Sequence, residues 1–149
     1  MRLTHFSPLA SLARYGLLIL AMVCATTTLA RAAGEVTINN PSTGDTVTFT
    51  GSQLSQTVKF TVTDGWSFSS VKVLGDDGNG GFTNYETITT CQVVNKADGT
   101  YDYSTAEISR RAATGVSIKV TVYQMQMVGG QYVAVMKSAT ITGLTLAIQ

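Results

Sequence analysis

The chain has 149 residues, the length of one domain, with a formal net charge of +1 and only 13% charged residues. That balance excludes a nucleic-acid footprint, the absence of heptads excludes a coiled coil, and the length excludes a multidomain enzyme.

Residues 1–32 read as a secretory signal peptide. Arg2, His5 and Arg14 supply the positive start. Tyr15 to Ala25 is an apolar run too short for the roughly 20 residues that span a bilayer. Ala30-Arg31-Ala32 offers a small-x-small cleavage signal, with the cut after Ala32 and Ala30 as second choice. No acid precedes Glu35. The rivals are a lipoprotein anchored through Cys24, for which Val23 is a poor fit, and a retained membrane anchor. Cleavage would leave seven basic residues against nine acids, a net charge of −2, and would remove the one histidine. The mature chain of 117 residues would keep one cysteine, Cys91, so no intrachain disulfide can form. Such a chain is long enough to hold a core by packing alone. Cys91 is then a buried small hydrophobe or an intermolecular thiol.

From Val36 onward the pattern is strand. Val36 and Ile38 alternate with Thr37 and Asn39, and Val47 and Phe49 with Thr46, Thr48 and Thr50. Val58, Phe60 and Val62 are separated by Lys59 and Thr61; Val71 and Val73 flank Lys72. Val116, Ile118, Val120 and Val122 alternate with Ser117, Lys119 and Thr121, and Ala139 and Ile141 with Thr140. One polar and one apolar face per run is the mark of antiparallel sheet buried on one side. Turn chemistry separates the runs: Asn39 to Asp45, Asp64-Gly65, Gly75 to Gly81, Asp98-Gly99 and Gly129-Gly130. Seven or eight strands so spaced predict a β-sandwich over residues 33–149. One stretch is ambiguous. Ser104 to Glu107 matches a capping box, so a strand through about Ala106 is expected to give way to a turn or a helical turn ending near Thr114.

The stretches Val36 to Pro41, Gly44 to Val47, Thr57 to Asp64, Ser70 to Leu74, Thr114 to Val122 and Lys137 to Thr142 together resemble bacterial immunoglobulin-like domains of exported and cell-surface proteins. The resemblance implies an antiparallel immunoglobulin-like sandwich and a role as spacer, adhesion module or accessory binding module. Residues 82–108 fit that pattern less well, and the strand order there stays open.

Chemistry-bearing constellations are sparse. Without His5 the mature chain cannot build a Ser-His-Asp or Cys-His arrangement, and most acids fall at turns, so no enzyme and no cofactor are expected. Gly75 to Glu86 can be aligned to a twelve-residue Ca²⁺ loop with Asp77 at position three, Asn79 at five, Gly80 at six and Glu86 at twelve. Gly75 stands where an acid belongs, and the same residues equally suit a plain hairpin turn. Trp66 and Phe68, with Tyr85 or Tyr101 nearby, could stack on a sugar or plug the end of a core. Arg110-Arg111 reads as a solvated turn.

The last hairpin is the most informative. With Gly129 and Gly130 as its turn, Val128 pairs with Gln131, Met127 with Tyr132, Met125 with Ala134 and Tyr123 with Met136. One face then carries Val122, Val120 and Ile118 toward the core. The other presents Tyr123, Met125, Met127, Tyr132 and Met136 as a partner patch. A loop covering that face, or a bulge near Gln124 to Gln126, would cancel the patch. A thioether site for Cu⁺ from Met125, Met127 and Met136 has no other ligand to support it.

The expected function is an exported binding, adhesion or structural surface module. Its partner would be a protein or glycan at the cell surface, without nucleic acid or a membrane span after cleavage. A fimbrial subunit that assembles by strand addition and a carbohydrate-binding module are the alternatives.

Overall fold

The structure, a computed structural model, describes residues 34–95 and 103–149. The leader, Cys24, the Asp98-Gly99 turn and Tyr101 lie outside the described residues. In the compact unit Ala33–Gln149 every helix or strand element among the described residues is a β-strand. Its strands are β1 (Val36–Asn40), β2 (Thr46–Phe49), β3 (Ser55–Val62), β4 (Ser67–Asp76), β5 (Phe82–Ile88), β6 (Gln92–Val94), β7 (Tyr103–Ser109), β8 (Ala113–Val128) and β9 (Gln131–Ile148).

Two sheets form, in the orders β1-β3-β7-β6 and β2-β9-β8-β4-β5. All pairings are antiparallel except β2 with β9, which run parallel from Thr46 opposite Thr145 to Phe49 opposite Ile148. Lettered in chain order as A, A′, B, C, C′, D, E, F and G, the sheets become ABED and A′GFCC′. That is the immunoglobulin-like arrangement, and the fold is an immunoglobulin-like β-sandwich. It has nine strands among the described residues rather than seven or eight.

Period-two patterning decides what is buried. Val58 and Phe60 of β3 and Ala106 and Ile108 of β7 meet Val71 and Val73 of β4, Val116, Ile118, Val120 and Val122 of β8, and Leu144 and Leu146 of β9. Phe49 of β2 and Val36 of β1 complete the core. A B–F disulfide can link the two sheets of such folds. Here the facing residues of β3 and β8 are aliphatic or aromatic, so the layers hold by apolar burial. A bulge between Val116 and Ile118 buries Ser117 as well.

The stretch after Ala106 departs from expectation. β7 runs on to Ser109, and only Arg110, Arg111 and Ala112 separate it from β8, with no helical turn. The apparent capping box is strand alternation. Ser104 points inward and is buried, while Glu107 points outward and accepts hydrogen bonds from Ser55 Oγ and Thr57 Oγ1, each at 2.7 Å.

Nor is Arg110-Arg111 a solvated pair. Arg110 Nη1 donates to the carbonyls of Gly51 and of Gln53, the latter at 3.1 Å, while its amide donates to Leu54 O at 2.8 Å. Arg111 Nη2 lies 3.4 Å from Glu86 Oε2, and its guanidinium carbon sits 5.3 Å from the Tyr85 ring centroid. Glu86 also accepts from the Ser109 amide (3.0 Å) and hydroxyl (2.6 Å). This cluster ties β5 of one sheet to the end of β7 in the other.

Candidate functional site

β8 and β9 are much longer than their neighbours, with 16 and 18 residues. β4 accompanies β8 only as far as Ser67 opposite Tyr123. Beyond that point, among the described residues, Gln124–Val128 and Gln131–Val135 pair only with each other. Five residues at about 3.3 Å each carry this arm roughly 17 Å past the last three-stranded contact. Its register keeps the expected pairs: Val128 with Gln131, Met127 with Tyr132, Met125 with Ala134 and Tyr123 with Met136. Gly129 and Gly130 hold φ of 59° and 83°, the two positive values a type I′ turn requires. The alternation that buries Ile118, Val120 and Val122 in β8 continues into the arm without a bulge, because the irregularities of this pair fall between Ala113 and Ile118.

One face of the arm presents Met125, Met127, Tyr132 and Met136, which are 52%, 63%, 69% and 55% exposed, with Tyr123 half-buried at its base. The other face carries Gln124, Gln126, Val128, Gln131, Val133 and Val135. Gln126 Nε2 donates to Gln124 Oε1 at 2.9 Å along the strand. Val128 and Val133 are exposed on it as well. From Tyr123 to Met136 no residue carries a charge. The first charge after it, Lys137, lies 3.8 Å from Glu35 Oε1. The structure thus brings the five patch residues onto one face, and no described residue covers Met125, Met127, Tyr132 or Met136.

The other candidates fall elsewhere. Trp66 and Phe68 are partly buried against the core, and the Phe68 ring stacks on Phe60 with centroids 5.4 Å apart. They close the end of the sandwich at the base of the arm. Asp77 and Asn79 sit in the β4–β5 turn, where Asp77 Oδ1 accepts from the amides of Asn79 (2.8 Å) and Gly81 (2.9 Å). Asp76 Oδ1 likewise accepts from the Gly78 amide at 2.8 Å. Glu86 is engaged with Arg111 and Ser109, so the candidate Ca²⁺ ligands have separate local partners. Among the described residues, no three His, Cys, Asp or Glu side chains group to hold a metal ion.

Cys91 is partly buried beside a shallow pocket of about 220 Å³ lined by Ile88, Thr90, Gln92, Thr105, Ala106 and Glu107. Burial raises its thiol above the ordinary value, and a hydrogen bond with Ser104 opposes that shift. The cluster of Tyr85, Glu86 and Arg111 is not legible in the sequence. Its only trace is Gly75, where a Cβ would run into the Tyr85 ring.

No family model matches the sequence, and no curated protein matches it. Among solved structures, this chain is similar to murine CRIg at 18% identity and a TM-score of 0.38, over 78% of this chain and 99% of that one. The immunoglobulin-like assignment rests on the strand order and not on that likeness.

Proposed function

We propose that this chain is an exported, non-catalytic binding module that engages a protein partner through the β8–β9 arm. One observation carries the reading: an uncharged hairpin, Tyr123 to Met136, extends past the sandwich with Met125, Met127, Tyr132 and Met136 exposed. A two-stranded ribbon standing alone is marginal in water, so its length adds little to the stability of the core. Interfaces are rich in Met and Tyr and poor in charge at their centres. A protein is favoured over a glycan because Trp66 and Phe68 pack on the core instead of forming an open stacking platform.

Export is supported by the leader pattern of residues 1–32. A non-catalytic role is supported by the loss of the one histidine with that leader and by a raised Cys91 thiol, which is a weaker source of thiolate.

The test is photo-crosslinking in cells that export the full chain. A benzophenone amino acid at position 127 or 132 is expected to give discrete protein adducts. The same group at Lys59, on the outer face of the other sheet, is expected to give none. Equal labelling from all three positions, or none from 127 and 132, overturns the reading.

A further inference from the structure

We propose that β9 is a homotypic pairing edge: two copies of this chain join antiparallel along Gln131–Ile141, fusing their five-stranded sheets into one. This rests on the arm being the contact element and names its partner. From Gln131 to Ile141, β9 pairs among the described residues with β8 on one side only, since β2 begins its pairing at Thr145. Every residue from Ile141 back to Gln131 stays in unbroken register with Ile118 through Val128.

Natural sheets blunt such edges with proline, bulges, brevity or inward charges. This edge has no proline and no bulge, and its single inward charge, Lys137 opposite the buried Val122, is drawn to Glu35. It is therefore a long, regular template for another strand.

The chemistry of the arm selects among occupants. A lipid surface would leave the open edge groups of both strands without hydrogen-bond partners, a heavy cost in hydrocarbon. A strand added to β9 satisfies those of β9, and the open edge of β8 stays in water. A second copy supplies such a strand in matching length. A two-fold axis normal to the sheet preserves its faces, so Tyr132 and Met136 of both copies share one side of the joined sheet. In that register each arm meets the base of its copy, where the one charge, Lys137, is drawn to Glu35. Three of the exposed apolar side chains, Tyr132, Val133 and Met136, lie on β9 itself and come beside those of the copy across the seam.

The experiment is sedimentation of the full chain purified from an exporting host, from micromolar to near-millimolar concentration, paired with amide hydrogen exchange. The expected result is a concentration-dependent dimer in which amides within 131–141 gain protection as the dimer fills. The pair Tyr132→Lys and Met136→Lys is expected to weaken dimerisation at least tenfold. Circular dichroism and the urea midpoint of that variant verify that it still folds.

A monomer at all concentrations overturns the proposal. So does a dimer that leaves the 131–141 amides unprotected. Crosslinks from position 132 to a protein of different mass would also overturn it, while leaving the arm as the contact element. No crosslink from either 127 or 132 would remove both readings.

Discussion

At the scale of single residues, Glu86 and Cys91 show how polar groups are settled at the open side of the sandwich. The Glu86 and Arg111 side chains retain 19% and 26% of their exposure, between a surface pair and a buried one. Glu86→Gln keeps the shape but leaves Arg111 without its counter-charge, and should cost about 1–2 kcal/mol. Urea unfolding at neutral pH measures this, and an unchanged midpoint would mean that solvent already screens the pair. The Cys91 thiol is raised chiefly by burial. A raised native value means that its contribution is whole below the ordinary thiol range and is lost as pH climbs through the shifted value. The stability difference between the native chain and Cys91→Ala should therefore shrink as pH rises from 7 through that range. A difference that stays constant with pH would contradict this.

Among the elements, β8 and β9 are the most legible, because strict alternation leaves one register that buries Ile118, Val120 and Val122 together. The hairpin turn, Gly129-Gly130, then sets every pair in the arm. β5 and β6 are not legible. Neither buries a single residue, so neither shows the alternation of a strand with a buried face, and residues of β5 such as Phe82 and Tyr85 remain exposed. The stretch Ser104 to Glu107 misleads for a different reason: a capping-box spacing of three also puts its two ends on opposite faces of a strand. The candidate patch is legible as a face, but the free edge of β9 is not. That edge depends on where β2 meets β9, and strand pairing over that distance is not written in local sequence.

For the whole molecule, a sandwich that holds by packing carries an arm that the packing does not need, and the two parts should be separable. Deleting Met125–Val128 and Gln131–Ala134 joins Gln124 and Val135 through Gly129-Gly130. Removing an even number of cross-strand pairs keeps the hydrogen-bonding parity that the two-residue turn requires. The most direct measurement is the urea midpoint of this shortened chain beside its sedimentation at high concentration. The account predicts an unfolding free energy within about 0.5 kcal/mol of the parent's, as for changes away from the core, together with loss of self-association. A shortened chain that no longer folds, or one that still associates as the parent does, would contradict it.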